Sequence, residues 1–264
     1  MLYCRRPSDG TSVMIGRGGI WTHFILANAV ARCARTAAER APPSQDEVPF
    51  SFSDTHAGGG RLQRTSALDP VLAARGEFSG RWFHEAVTQS PDSYPGSWVL
   101  AGRIVAALPR VVFEADVNDI DPAAIAAAKA NRESGWVRFW SHDWFLFLRN
   151  RINLPNRPGF VFIDPPADDH RGPGYAIDAA ILLDTLGIPF MVSYAVDDPQ
   201  DPIDQIGRTG LELWRGQWGF GVMLGGGAEA VVMDVLADLH RLAALLEGDF
   251  TVRLPSPPAD DYCI

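Results

Sequence analysis

The fold is decided by the stretch VPFSFSDTHAGGGR, residues 48–61. Residues 48–53 alternate apolar and polar side chains over the length of a β-strand. Residues 57–60 form a glycine turn, whose backbone N–H groups a ligand can approach because glycine has no Cβ. A first strand followed by such a turn is typical of a nucleotide-type cofactor site at the carboxyl end of an α/β sheet, and a tight structural turn is the alternative.

Length and composition predict one α/β domain over residues 1–264, with residues 62–93 as a small helical insertion within it. No apolar run reaches the roughly 18 residues of a membrane span, and the amino terminus does not resemble a signal peptide. The three cysteines are far apart in the sequence, which favours free thiols over disulfides or zinc. The histidines lack metal-ligand spacing, so His23 is interpreted as a core or surface residue. We therefore expect a cytoplasmic protein that lacks a metal and is a monomer or a homodimer.

Charge is distributed unevenly along the chain. The net charge of −9 argues against a protein that coats nucleic acid non-specifically. Residues 1–40 carry six arginines against two acids, whereas residues 164–204 hold nine aspartates and the single cation Arg171. Any contact with a polyanion is therefore expected at the N-terminal arginines, among them Arg5, Arg6 and Arg61.

Downstream of the glycine turn, apolar strands alternate with helices, which predicts a mostly parallel, doubly wound sheet covered on both faces. The pattern gives seven strands: 48–53, 111–115, 136–140, 159–163, 190–195, 211–218 and 228–235. It gives helices over 20–40, 98–108, 144–151, 175–185, 203–209 and 236–246, and an alanine-rich helix that opens at Asp121-Pro122. Ser97 is expected to be the N-cap of the second of these helices.

Three acidic residues follow consecutive predicted strands of this sheet: Asp116, Asp143 and Asp164. In a doubly wound sheet the carboxyl ends of the strands line one crevice, where ligands bind. An acid after the second strand can accept hydrogen bonds from the two hydroxyls of a ribose. An acid after the third strand can accept a hydrogen bond from the exocyclic amine of adenine. Each acid alone is equally compatible with a helix N-cap, but three in register with a glycine turn favour a cofactor site.

Among nucleotide-type cofactors, S-adenosylmethionine fits these residues best. A G-x-G-x-x-G dinucleotide loop needs a glycine where Gln63 stands. A P-loop needs a Gly-Lys-Ser/Thr sequence, and the only lysine, Lys129, lies in a predicted helix elsewhere.

Asp164-Pro165-Pro166, directly after the fourth strand, carries the most specific chemical signal. Two prolines fix the backbone and can turn a carbonyl into the crevice. That carbonyl and the Asp164 carboxylate can together accept both protons of a planar amine, whose lone pair is then aligned with the methyl group of the cofactor. We therefore interpret this segment as the acceptor site of an amine methyltransferase. The alternative is that it is a rigid turn that only ends a strand.

Four segments, in this order and spacing, resemble the RlmJ family of adenine-N6 methyltransferases of large-subunit ribosomal RNA: Asp-Thr-His-Ala-Gly-Gly-Gly-Arg at 54–61, Gly-Glu-Phe at 76–78, Tyr-Pro-Gly-Ser at 94–97 and Ile-Asp-Pro-Pro at 163–166. The resemblance covers most of the chain and implies a Rossmann-like class I methyltransferase. It implies Asp164, with Pro165 and Pro166, as the catalytic segment. The cofactor contacts that it and the strand-end pattern predict are Asp54, His56, Gly58, Gly60, Ser97, Asp116, Asp143, Trp144 and, on the first helix, Asn28.

The substrate half of the chain departs from that family. Ala167 stands where the family has an aromatic residue that stacks on the extruded adenine, an interaction worth roughly 1–3 kcal/mol per base. The aspartate run after Asp164 would also repel a phosphate backbone. If the substrate is an adenine, another ring must provide the stacking face; the candidates are Tyr94, Trp98, Trp144 and Tyr175. The alternatives are methyl transfer to a small-molecule or other non-nucleic acceptor, and a non-catalytic cofactor-binding protein with the same fold.

Overall fold

The computed structural model describes residues 14–133, 135–166, 172–196 and 208–254. Within them, one sheet of eight strands has the order β10-β8-β9-β7-β6-β1-β4-β5. Its strands are β1 (Val48–Asp54), β4 (Val111–Asn118), β5 (Trp136–Trp140), β6 (Phe160–Ile163), β7 (Phe190–Val196), β8 (Gly210–Arg215), β9 (Trp218–Gly225) and β10 (Asp249–Arg253). Strands β7, β6, β1, β4 and β5 are parallel, whereas β9, β8 and β10 add in antiparallel fashion. The predicted Rossmann-like, mostly parallel sheet is confirmed, with eight strands rather than seven.

Helices cover both faces of the sheet and divide the core in two. The larger core lies under α1 (Arg17–Arg40) and α4 (Ser97–Ala106). The smaller one lies under α6 (Trp144–Ile152) and α7 (Gly172–Thr185). The remaining long helices are α5 (Pro122–Ala130) and α8 (Val232–Leu245). None of the described helices is both long and apolar enough to cross a membrane.

Helix α1 is buried around most of its circumference, because it packs against elements from both ends of the sequence. Its Trp21 has no exposed surface and donates a hydrogen bond from Nε1 to the carbonyl of Leu211, over 3.1 Å. Arg32 on the same helix forms an ion pair with Asp234 of α8. The first helix is therefore fixed by the last third of the chain.

The helical character predicted for residues 62–93 is present. The segment holds α2 (Asp69–Ala73), α3 (Trp82–Thr88) and two 3-10 turns, and the short strands β2 (Arg61–Leu62) and β3 (Tyr94–Pro95) pair at its two ends. Asp238 of α8 fixes it, accepting hydrogen bonds from the backbone of Ser79 and Gly80 and from the Ser79 hydroxyl.

The C-terminal third differs from the predicted elements. Residues 228–235 are not a strand but a 3-10 turn that leads into α8. The closing strands lie earlier, where β8 and β9 form a hairpin over residues 210–225, and β10 was not predicted. Most of the predicted helix over 203–209 lies outside the described residues, and Arg208 and Thr209 are not helical.

Candidate functional site

The site begins at the buried carboxylate of Asp54, the last residue of β1. The Ser97 hydroxyl donates a hydrogen bond to Oδ2 of Asp54, and the backbone N–H of His56 donates to Oδ1 over 3.1 Å. The N–H of Gly96 donates to the carbonyl of Gly60 over 2.9 Å. Residues 54–61 and 94–97, which are separate in sequence, therefore form one wall of the site.

This contact also corrects the expected role of Ser97. Helix α4 begins with Ser97 itself, its N-cap is Gly96, and no side chain caps it. Because the hydroxyl of Ser97 points to Asp54 instead, it serves the site and not the helix end.

The glycine turn combines a packed side with an open side. Gly58 and Gly60 both have positive φ, +58° and +77°, which favours glycine. A Cβ on Gly60 would lie 2.5 Å from the ring of Trp98, whereas a Cβ on Gly58 would have no atom within 4 Å. The backbone at Gly58 is thus the part of the turn that a ligand can approach closely.

Asp116 does not lie at a strand end, so the position predicted for it, directly after a strand, is wrong. Strand β4 continues to Asn118, and the Asp116 carboxylate is fully buried inside it. It accepts hydrogen bonds from Arg138 over 2.9 and 2.8 Å and from Trp140 Nε1 over 2.9 Å, and Arg151 Nε lies 2.8 Å from its Oδ2. Because two guanidinium groups and an indole bind this carboxylate, it links β4 to β5 and α6 inside the protein.

Asn118 and Asp119 occupy the end of β4 instead, and they were not predicted. Asn118 Nδ2 donates to the carbonyls of Thr55 and His142 over 3.2 and 3.1 Å, and its Oδ1 accepts from the His142 N–H, so the ends of β1, β4 and β5 are tied together. Asp119 Oδ2 accepts from the N–H of Gly58 over 3.0 Å. The sequence signal for these residues is the Asn-Asp pair that directly follows Val117. It was missed because the predicted strand ended at residue 115, before this pair.

Asp143 and Trp144 lie at the start of α6. Oδ1 of Asp143 accepts from the N–H groups of Phe145 and Leu146, over 3.1 and 3.0 Å, so the N-cap alternative for this residue is confirmed. The ring of Trp144 lies 5.3 Å from that of His56 and 6.3 Å from that of Tyr175. The structure thus brings the predicted His56 and Trp144 together.

Asp164 follows β6 and faces the same side of the sheet as Asp54. The hydroxyl of Ser193, on β7, donates a hydrogen bond to its Oδ1. Burial raises the pKa of Asp164, and the Ser193 hydrogen bond lowers it. Pro165 is half-buried and Pro166 is exposed. Ala167, where an aromatic residue was missing from the pattern, lies outside the described residues.

The carboxylates of Asp54, Asp119 and Asp164 converge. The pKa of Asp54 is raised to about 7, chiefly by burial. The hydrogen bonds from Ser97 and His56 lower this pKa, and the nearby charges of Asp164 and Asp119 raise it. The hydrogen bonds that reach Asp54 and Asp164 come from neutral groups, namely serine hydroxyls and a backbone amide. A cationic ligand would relieve this repulsion.

On α1 the structure does not bring Asn28 to this group. Asn28 donates to the Phe24 carbonyl of its own helix over 2.9 Å, and its amide packs against Gly80. His23 lies nearer: its ring stacks on Tyr94 at 5.5 Å and lies 6.5 Å from the ring of Phe162 on β6. Burial lowers the pKa of His23 to about 4, so it is a neutral ring beside the end of β6.

Two of the rings proposed as stacking faces are core residues. Tyr94 has no exposed surface, and Trp98 is 2% exposed behind Gly60. Tyr175 is half-buried and stacks on Phe145 at 4.8 Å.

No group of three or more acidic, histidine or cysteine side chains suited to a metal ion is found among the described residues.

Comparison with known proteins gives the fold. No family model and no curated protein matches the chain. Protein LPL1258 of Legionella pneumophila, which carries the family designation DUF519, has a similar structure: TM-score 0.68 at 15% identity, over 89% of this chain and 97% of that one.

Two other proteins have lower structural similarity to this chain. HI0767 of Haemophilus influenzae, provisionally named a methylase, has TM-score 0.38 at 14% identity over 75% of this chain and 98% of its own. YhhF of Escherichia coli, provisionally named a methyltransferase, has TM-score 0.35 at 18% identity over 74% of this chain and 86% of its own. The chain shares the fold of the Legionella protein across nearly the whole of both molecules.

Proposed function

We propose that this protein is an S-adenosylmethionine-dependent methyltransferase that methylates an exocyclic amine. The observation that carries the proposal is the convergence of Asp54, Asp119 and Asp164 on the carboxyl ends of three adjacent parallel strands, beside a glycine turn. Crevices at this place in α/β sheets bind nucleotide-type ligands. S-adenosylmethionine carries a sulfonium and an ammonium group, and this concentration of carboxylates suits both positive charges.

In this proposal the glycine turn and the ends of β1 and β4 hold the cofactor. Gly58 offers open backbone, and His56 and Trp144 offer rings on one side. Asp119, at the true end of β4, replaces Asp116 as the candidate for the ribose hydroxyls. Asp143 retains its place at the end of β5, where its Oδ1 already caps α6.

Asp164 would orient the acceptor. When bound, the cofactor supplies an electrophilic methyl carbon, and transfer makes an N–C bond as the C–S bond breaks with its electron pair left on sulfur. The Asp164 carboxylate accepts a hydrogen bond from the amine and holds its lone pair in line, while Pro165 and Pro166 fix the backbone that carries it. The proton that the methylated amine sheds can pass to the same carboxylate, whose pKa is raised by burial.

By resemblance, the acceptor is adenine N6 of ribosomal RNA, and Tyr175, a half-buried ring 6.3 Å from that of Trp144, is the candidate stacking face. The arginines expected to bind the phosphates of the RNA give this acceptor less support. Arg5 and Arg6 lie outside the described residues, and Arg61 pairs with Glu133 over 3.0 Å. The aspartate run and the carboxylate cluster favour a second candidate, a small-molecule amine that is neutral or cationic.

A binding measurement and a transfer measurement together test the proposal. Calorimetry with S-adenosylmethionine tests the site, and incorporation of labelled methyl groups tests the reaction. The acceptors are ribosomal RNA from methylation-deficient cells, adenosine, and a mixture of small amines. We expect binding and transfer to one class. Binding without transfer would mean a cofactor-binding protein, and absence of binding would refute the proposal.

A further inference from the structure

The hydroxyl of Ser193 is a polar group inside an otherwise apolar strand. Ser193 is 1% exposed, and its neighbours on β7, Met191 and Val192, are buried as well. A hydroxyl in such a place is costly unless it forms a hydrogen bond. Here the bond goes to Oδ1 of Asp164.

The sheet register determines this contact. Strands β6 and β7 are parallel, with Ile163 beside Val192. Asp164, the residue directly after β6, therefore lies beside Ser193. On its other side Ser193 pairs with Val222 of β9. Because β7 is held between two strands, the hydroxyl approaches Asp164 from a rigid position.

We propose that Ser193 is a positioning residue that holds the carboxylate of Asp164 ionised and in one orientation for the acceptor amine. Its catalytic consequence rests on the proposed function. The role goes beyond the Asp-Pro-Pro segment, because it assigns part of the acceptor site to a strand that the sequence pattern gives no function.

The chemistry follows from which group donates. The hydroxyl of Ser193 donates to Oδ1, and a donated hydrogen bond favours the charged form of a carboxylate. A carboxyl group rotates easily about its Cβ–Cγ bond, so a donor on one oxygen removes this freedom. An ionised carboxylate only accepts hydrogen bonds, so the acceptor must bring its own N–H. We therefore expect a primary or secondary amine as substrate.

The first test does not depend on activity. Carbon-13 NMR of the aspartate carboxyl groups, assigned through Asp164→Asn, gives the pKa of Asp164 in the ligand-free protein. In Ser193→Ala we expect this pKa to rise by roughly one unit because a hydrogen bond to the charged form is lost. Ser193→Thr keeps a hydroxyl and should restore the wild-type value. Ser51→Ala is the matched control, since it also removes a buried hydroxyl from the sheet, one for which no hydrogen-bond partner is found in the described structure.

The second test uses the acceptor found by the transfer assay. Ser193→Ala should lower kcat about 10- to 100-fold, as for a misplaced reacting group, and leave the KM for S-adenosylmethionine unchanged. A pKa of Asp164 that does not move in Ser193→Ala, or an unchanged kcat, would overturn the inference. A wild-type protein inactive on every acceptor would refute the proposed function instead, and the NMR titration would still decide whether Ser193 controls Asp164.

Discussion

The hydroxyl of Ser97 donates a hydrogen bond to the buried carboxylate of Asp54 and so joins the first turn of α4 to the carboxyl end of β1. The two residues are 43 positions apart, and both belong to the segments on which the resemblance rests. The contact gives the two segments one shared role, the support of a buried carboxylate that has no surface exposure.

The first prediction concerns Asp54 and the pH dependence of stability. Its pKa is raised from 3.8 to about 7 in the folded protein. The folded state therefore binds an extra proton between these values, so the free energy of unfolding falls as pH rises through this window and stays low above it. The full loss is on the order of 4 kcal/mol. Asp54→Asn removes this titration, so the ligand-free variant should be more stable than wild type at pH 8, as measured by urea unfolding.

The same variant should bind S-adenosylmethionine more weakly, because it lacks a negative charge near the cationic ligand. In the wild type, affinity should fall as pH decreases through about 7, while in Asp54→Asn it should change little. Asp249→Asn, on the exposed edge strand, is the control and should behave as wild type in both measurements. An Asp54→Asn variant with wild-type affinity and pH slope would contradict a role for this charge.

The second prediction concerns Asp116. Its removal should affect stability rather than the cofactor, because Arg151, whose side chain is 5% exposed, would be left buried without its partner. Asp116→Ala should lower the free energy of unfolding by about 3–5 kcal/mol. Calorimetry below the unfolding transition should show an unchanged affinity for S-adenosylmethionine.

The double variant Asp116→Ala, Arg151→Met provides the control for that measurement. Replacing both charges with apolar groups should recover part of the lost stability. If Asp116→Ala instead loses cofactor affinity at wild-type stability, the carboxylate contacts the ribose after all.

The third prediction separates the roles of Asp164 and the cofactor site. Asp164→Ala should lower the rate of methyl transfer while the affinity for S-adenosylmethionine changes little, because this carboxylate orients the acceptor. Single-turnover kinetics with saturating cofactor would measure the effect. Transfer at the wild-type rate would mean that Asp-Pro-Pro is a structural turn.

The fourth prediction compares two glycines of one turn. Gly58→Ala and Gly60→Ala impose the same left-handed backbone on a residue with a Cβ, at roughly 1–2 kcal/mol each. Only the Cβ at position 60 meets the ring of Trp98, 2.5 Å away, so Gly60→Ala should be more destabilising by about 1–3 kcal/mol. Gly58→Ala should instead lower cofactor affinity, since its Cβ would occupy the open side of the turn. Equal stability of the two variants would contradict this packing.

The strand at residues 48–53, together with the alternation of apolar strands and helices that follows it, was sufficient to predict the fold, because both patterns are local properties of the sequence. Asp54 and Asp164 were found where strands end. Asp116 was misplaced because residues 116–119, around the end of β4, include three polar side chains, and only the neighbouring β5 and α6 decide which of them is paired. The contact of Ser193 with Asp164 could not be predicted, because it depends on the register between β6 and β7. The strands β8 to β10 were missed in part for the same reason, since their pairing is antiparallel and their boundaries are set by partners.

The contact between Trp21 and Leu211 constrains the order in which this protein can fold during synthesis. The two residues are separated by 190 positions, which a ribosome adds in roughly 10 to 40 s. Throughout that interval α1 has emerged, but the strand that receives its indole has not. An apolar helix that waits this long is prone to aggregate, so chaperones that shield nascent chains should bind α1 first and release it once β8 is made. Ribosome-bound chains that end before Leu211 should accordingly remain sensitive to protease at α1.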